Sequence, residues 1–279
     1  MQRVKFSIIV VCLNAGGELH KTVESILSQN YDDYEIIVKD GGSKDGSVEK
    51  LPQHPKLHVT VQGDKSIYDA MNQAVKSATG EYFIFLNCGD YFYDENVLAG
   101  VAGRIAAEKD GGTVGELDSV KSVEEPAVYY GNLYQRRLGT EVYSYREITP
   151  FTCYRNVPCH QTCFYHRSLF EERAYDLKYK VRADYEHFLY CYFEKKAKMI
   201  YMPVIVSSYE GGGFSETKEH LKLSKAEHRE ITGKYLTRGQ LFRYRAIMLL
   251  TLQPLRTFVA NNKVLSGGYN RIKKVIYRK

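Results

Sequence analysis

Residues 6–40 read FSIIVVCLNAGGELHKTVESILSQNYDDYEIIVKD, and this stretch decides the fold. Phe6 to Cys12 is a near-continuous apolar and β-branched run, the pattern of a strand buried on both faces of a parallel sheet. Asn14-Ala15-Gly16-Gly17 breaks the run, and Leu19, Val23, Ile26 and Leu27 then recur at helical spacing. Glu35 to Val38 opens a second buried strand, so the stretch is a β-α-β unit. Beyond it, Asp40-Gly41-Gly42-Ser43-Lys44-Asp45-Gly46 is turn-rich; a short helix near Val48 to Leu51 and a strand at Leu57 to Val61 are predicted to follow. Ile67, Ala70, Met71, Ala74, Val75 and Ala78 form a helical stripe closed by Gly80. Tyr82 to Leu86 reads as a buried strand ending in Asn87-Cys88-Gly89-Asp90, and Asp94 is placed to cap a helix carrying Val97, Leu98, Val101 and Ile105.

Further along, residues 109–126 are polar and glycine-rich and read as a solvated loop. Strands are predicted at Val128 to Tyr134, Thr162 to His166 and Met199 to Ser207, and Thr149 to His160 reads as irregular. Asp184 to Phe193 is predicted to be an amphipathic helix, and Thr217 to Leu236 a charged surface helix. Strands alternating with helices specify an α/β fold with a mostly parallel, doubly wound sheet. Ligands of such sheets bind outside the carboxyl ends of the strands. Asn14, Asp40 with Asp45, and Asn87 with Asp90 all fall at such ends.

With 279 residues, 44% hydrophobic and 26% charged, and only 7 prolines, the chain is an ordinary globular one; collagen-like, low-complexity and largely disordered readings are excluded. The apolar runs Phe6 to Leu13 and Ala246 to Leu252 fall short of the roughly 20 residues of a membrane span. No secretory leader pattern is read at the N-terminus, and a cytoplasmic location is expected. Six cysteines without paired spacing are expected to be free thiols. Cys153, Cys159, Cys163 and His166 lack the C-x-x-C knuckles of structural zinc. Residues 238–279 hold ten Lys or Arg and no Asp or Glu, which leaves 29 basic against 33 acidic side chains in residues 1–237. Acidic strand ends argue against nucleic acid, whose phosphates want a continuous basic face. Neither G-x-x-x-x-G-K-[ST] nor G-x-G-x-x-G occurs, which disfavours P-loop and dinucleotide folds.

Five segments together carry a resemblance: FSIIVVCLN (6–14), KDGGSKDGS (39–47), DKSIYDAMN (64–72), ATGEYFIFLNCGD (78–90) and ADYEHFL (183–189). In this order they resemble the successive blocks of the family 2 inverting glycosyltransferases of GT-A fold, over residues 5 to about 215. The version with Tyr68-Asp69-Ala70-Met71-Asn72 is similar to bacterial enzymes that build surface polysaccharides from nucleotide sugars. The resemblance implies a catalytic domain over 1–215 followed by a basic, helical C-terminal extension over 216–279. It also implies a hexosyltransferase-type activity, moving sugar from a donor, UDP-linked in this reading, to a saccharide or polyprenyl-linked acceptor.

By position in those blocks, Asp40 would accept the uracil ring N–H, Asn14 would flank base or ribose, and Asp64 with Lys65 would line the same pocket. The metal motif of the fold, D-x-D, falls on Asn87-Cys88-Gly89-Asp90, where Asp90 is the one carboxylate. The implied cofactor is Mg²⁺ or Mn²⁺, held by Asp90 with substrate phosphates and water, and Asn87 belongs to the donor site. Asp184 aligns with the general base, with Ala183 replacing the first acid of the family's pair, and Glu186 is structural. His160 and Gln161 match a His-Gln segment near acceptor or diphosphate, and Arg182 is a further candidate to stabilise the leaving group. The tail from 240, apolar side chains interleaved with Arg243, Arg245 and Arg256 and a second basic cluster from Arg271, describes a helix lying on the anionic cytoplasmic face of a membrane or, alternatively, one packing its apolar side on the catalytic domain, with Pro254 breaking it. A nucleotidyltransferase is the alternative enzyme, but it would want a basic glycine-rich loop after the first strand. A noncatalytic nucleotide-sugar binding module is the alternative outside catalysis.

Overall fold

The structure, a computed structural model, describes residues 4–110, 126–211 and 217–251. The centre of the expected 109–126 loop and the tail from 252, with Pro254, Arg256 and the basic residues from 271, lie outside the described residues. The chain divides into two compact units, Met1–His228 and Arg229–Lys279.

In the first unit, β1 (Phe6–Cys12) is buried at every position and pairs in parallel with β2 (Tyr34–Asp40) on one side and β4 (Tyr82–Asn87) on the other. The edge strand β3 (Leu57–Val61) pairs in parallel with β2. The short β5 (Tyr91–Phe92) follows β4, and the remaining strands are β6 (Ala127–Gln135), β7 (Thr140–Val142), β8 (Cys163–His166) and β9 (Lys198–Tyr209). Their order is β3-β2-β1-β4-β8-β6-β9-β5, with β7 on β6. The β8 strand runs antiparallel to β4 and β6, while β6 and β9 are parallel. The sheet is therefore mixed: a parallel four-stranded half joined through one reversed strand to a second half.

Helices α1 (Gly17–Leu27) and α3 (Val97–Asp110) pack Leu19, Val23, Ile26, Leu98, Val101 and Ile105 against Phe6, Ile8 and Val10. The opposite face receives α2 (Ile67–Val75), capped by Ser66, whose hydroxyl accepts from the Asp69 N–H. Asp94 makes an Asx turn, its Oδ1 accepting from Asn96 N, so the expected cap lies ahead of a helix that begins at Val97.

Three further local expectations are corrected. Val48 to Leu51 forms turns and no helix: Asp45 takes the backbone N–H and hydroxyl of Ser47, and Pro52 disfavours a helical Leu51. The segment expected to be irregular contains α4 (Pro150–Arg155), started by a reciprocal Thr149–Thr152 capping box with Pro150 in the first turn. After the four-residue α5 (Ser168–Glu171), helix α6 (Ala183–Phe193) is not amphipathic: Ala183 and every residue from Tyr185 to Cys191 are buried, and Glu186 meets the charge of Arg173.

The start of the sheet is pinned by a buried carboxylate. Glu35 Oε1 accepts from Ser7 Oγ at 2.6 Å, Thr79 N at 2.6 Å and Gly80 N at 3.2 Å. Gly80 sits so close that a Cβ there would lie 2.5 Å from Ser7 N and 2.7 Å from Phe6 C. Both are backbone atoms of the central strand and cannot rotate away. Gly80→Ala is expected to cost about 3 kcal/mol, the upper end of overpacking penalties, read as a lower urea midpoint at unchanged m-value.

Candidate active site

The strand order reverses at β1, which has β2 on one side and β4 on the other, and a crevice opens outside the carboxyl ends at such a point. Cys12 registers with Asp40 and Val11 with Asn87, so Asn14, Asp40 and Asn87 reach one edge of the sheet.

On the β2 side the loops are laced together. Asn14 adopts φ 50°, an uncommon left-handed conformation for a residue with a side chain; its Oδ1 accepts from Lys44 N at 2.9 Å and its own N–H donates to Ser43 Oγ at 2.7 Å. Asp40, 1% exposed, accepts from Gly42 N at 2.9 Å, Ser43 N at 2.7 Å and the Ser43 hydroxyl. Burial pushes its carboxyl up, but the Ser43 and Gly42 donors outweigh burial and hold it below its ordinary range. Asp64 pairs with the ammonium of Lys39, itself buried, which also donates to the Gln62 carbonyl at 2.5 Å. Asp64 faces the loop that follows Asp40: a Cβ on Gly41 would come within 2.9 Å of Asp64 Oδ2. Lys65 is exposed, its backbone N–H on Asp69 Oδ2.

On the β4 side, Asp90 N donates to Asn87 O and Gly89 N to Thr22 Oγ1, each at 2.9 Å. The Gly89 carbonyl accepts from Arg136 at 2.6 Å, while the Arg136 guanidinium lies 4.3 Å from the centre of the Tyr91 ring. Asp90 is 4% exposed and accepts from Gln161 Nε2 at 3.1 Å. Burial pushes its carboxyl up to about 6, against the opposing pull of Gln161, His160 and Arg136.

Two adjacent residues join this loop to the start of α6. Gln161 holds Asp90, and His160 Nδ1 lies 3.0 Å from Asp184 Oδ2. A carboxylate only accepts, so Nδ1 carries the proton, and Nε2 accepts from Asn87 Nδ2 at 3.2 Å. On the other side Tyr68 OH donates to Asp184 Oδ1 at 2.8 Å and approaches the Val181 carbonyl at 2.9 Å. Burial pushes the Asp184 carboxyl up, but the hydrogen bond and charge of His160 and the bond from Tyr68 bring it below its ordinary value. Its side chain is 25% exposed, so an ionised carboxylate faces the crevice.

The site thus brings together Asp90, Asn87, His160, Gln161 and Asp184. Arg182 is held elsewhere, its Nε donating to Ser224 Oγ at 2.8 Å and Ser224 O at 3.0 Å. Sequence reading missed Arg136 and Lys39; Lys39, an isolated cation ending an apolar strand beside Asp40, was the one with a local signal. The donors present fit a hard divalent cation. Asn87 Oδ1 is buried without a hydrogen-bond partner, and Asp90 is a buried carboxylate met by one neutral amide. Among the described residues no cluster of three His, Cys, Asp or Glu side chains could hold an ion, so phosphate and water oxygens would complete such a shell.

The chain is 34% identical over 230 residues to a PGL/p-HBAD biosynthesis glycosyltransferase of Mycobacterium bovis, covering 78% of this chain and 82% of the relative. The S. aureus TarS structure 1–349 in complex with UDP-GlcNAc superposes with a TM-score of 0.61 at 18% identity, covering 92% of this chain and 81% of that one. The mannosyltransferase PcManGT from Pyrobaculum calidifontis, in complex with GDP-Man and Mn²⁺, superposes at 0.56 with 14% identity, covering 100% and 89%. At such identities these structures establish the shared fold, the GT-A arrangement expected from the sequence. The model of glycosyl transferase family 2 matches residues 7–173, and with the strand-end carboxylates and the relative above it settles the assignment: the chain belongs to glycosyl transferase family 2.

Proposed function

We propose that this glycosyltransferase moves a sugar, with inversion, from a UDP-linked donor to a saccharide or lipid-linked acceptor in the synthesis of a surface glycan. The observation that carries the reading is the adjacent pair His160–Gln161, one on Asp184 and the other on Asp90. It sets a candidate base and a candidate diphosphate site side by side. TarS bound to UDP-GlcNAc supports the donor class, and the relative named for PGL/p-HBAD biosynthesis supports a glycan-building role.

In this reading Asp40 receives the N–H of the base, with Asn14 and the Lys39–Asp64 pair shaping the pocket around base and ribose. The acceptor hydroxyl oxygen attacks the anomeric carbon, the bond from that carbon to the diphosphate oxygen breaks, and Asp184 takes the hydroxyl proton. Attack opposite the departing diphosphate inverts the anomeric centre. The lowered carboxyl keeps Asp184 ionised at neutral pH, while His160 and Tyr68 fix both its oxygens. Mg²⁺ or Mn²⁺, held by Asp90 and Asn87, would neutralise charge on the departing diphosphate. Against a nucleotidyltransferase, Asn14-Ala15-Gly16-Gly17-Glu18 after the first strand carries no basic residue.

The second unit contains the end of α7 (Lys218–Tyr235) and α8 (Arg238–Leu250), the latter started by a Thr237–Gln240 capping box. On α8 Phe242, Leu249 and Leu250 are 78%, 68% and 82% exposed, beside exposed Arg238, Arg243 and Arg245. No helix among the described residues is long and apolar enough to cross a membrane. Exposed apolar and cationic side chains on one helix fit peripheral attachment to an anionic cytoplasmic leaflet, where a lipid-linked acceptor would be presented.

Asp184→Asn is expected to lower transfer by 10²-fold or more with donor affinity within about threefold, measured on a panel of UDP-, GDP- and dTDP-sugars. Full transfer activity in that variant removes Asp184 from the mechanism. The Asp90 carboxyl is raised in the fold, so its penalty is absent below pH 4, where folded and unfolded chains are both protonated, and grows as pH rises through 6. In metal-free buffer Asp90→Asn should therefore stabilise the protein by up to about 3 kcal/mol at pH 7.5, an advantage that fades toward pH 4. Mn²⁺ should raise the melting temperature of the parent and leave the variant unmoved. For the tail, sedimentation with anionic vesicles at low salt and release at high salt are expected; indifference at every salt concentration removes the membrane role.

A further inference from the structure

Helix α6 begins in an unusual way. Its N-cap, Arg182, makes no side-chain capping bond, and the acids of its first turn are engaged elsewhere: Asp184 with His160 and Tyr68, Glu186 with Arg173. A helix start leaves N–H groups that need an acceptor and a negative charge. Both come from α7. Glu227, 6% exposed, takes the backbone N–H of Lys180 on one oxygen at 2.8 Å, and those of Val181 at 3.1 Å and Arg182 at 2.9 Å on the other. The same face of α7 adds Ser224, which accepts from Arg182 Nε, and His228, whose ring stacks on Tyr185 with centroids 5.3 Å apart. Meanwhile the Val181 carbonyl faces the Tyr68 hydroxyl that holds Asp184. The three residues that lead into the base thus have their amides fixed by one carboxylate far along the chain.

We propose that Glu227 is a positioning residue for transfer: by holding the N-cap amide of α6 and the two amides before it, it fixes the segment that carries Asp184 and so the direction in which that carboxylate meets the acceptor. The inference rests on Asp184 being the base, and it adds to the α6 segment, itself beyond residue 173 where the family match ends, a support on α7.

Two substitutions test it. Glu227→Gln keeps an oxygen for part of the amide set but turns an NH₂ against the rest; Glu227→Ala removes the acceptor altogether. Shifting a reacting group by about an ångström costs on the order of 10²-fold. The expected result is a 10- to 100-fold loss of kcat in Glu227→Ala and a smaller loss in Glu227→Gln, with UDP and GDP affinities by calorimetry within about threefold of the parent. A readout without substrate is the downfield imidazole proton of His160, assigned by its loss in His160→Gln. It should move in both Glu227 variants while far-UV circular dichroism stays the same. In an Asp184→Asn background, Glu227→Ala should cause no further loss of the residual rate. Parental kcat with an unmoved His160 proton overturns the proposal, as does an equal fold-loss with and without Asp184, which would mean a general structural role. Should Glu227→Ala not fold, Glu227→Gln carries the same outcomes. Full activity of Asp184→Asn is a different result: it defeats the base reading, whatever Glu227 does.

Discussion

Everything at the site depends on one constraint, the parallel pairing of β1 with neighbours on both sides. Because β2 and β4 run the same way as β1, their carboxyl ends arrive at one edge in fixed register, and Asp40 and Asn87 stand on either side of the chain at Cys12. Burial of β1 on both faces makes a register slip costly, since every position of the strand is packed. The Glu35 network at the opposite end locks the same register through Ser7, Thr79 and Gly80.

The two sides of the crevice treat charge differently. Asp40 and Asp64 are satisfied internally, by amides and hydroxyls of the Gly42–Ser43 turn and by Lys39. Asp90 is not: it is as deeply buried, but its direct hydrogen-bond partner is the neutral Gln161 amide, and its proton affinity rises accordingly. In the proposed reading, an internally satisfied Asp40 beside an electrostatically incomplete Asp90 suits a ligand that brings its own cation. The fold bears this deficit through packing around β4, where Phe83, Ile84, Phe85 and Leu86 are all buried.

The parallel half of the fold was legible because its signals are local. Buried strands write themselves as runs such as Ile8 to Val11, and α2 as a stripe with a Ser cap. What sequence reading missed are contacts between distant residues and elements too short for periodicity. α4 has six residues, fewer than two turns, and only its Thr149-Pro150 start marked it. Asp184, Glu186 and His187 interrupt the apolar residues of α6 as an amphipathic pattern does, yet tertiary packing buries two of those three. At the site, residue types at strand ends were readable, whereas the partners were not: nothing near His160 in the chain announces Asp184, and Glu227 looks like one acid among many on a charged helix. The domain division at 215, set by the extent of the family resemblance, had no means of registering that the next helix grips the segment ahead of Asp184.

The pairing that organises the crevice also sets an order of assembly. Phe6 leaves the ribosome well before its partner Tyr82, and Phe164, whose ring packs 5.5 Å from that of Phe6, follows later still. A nascent chain therefore carries this apolar strand half-covered until those partners emerge, since closing so long a loop yields no contact until both ends are present. Native-like topology with high contact order folds slowly and exposes strand edges while it does so. For this protein, yield on expression should track how well β1 is shielded during elongation more closely than the stability of the finished fold.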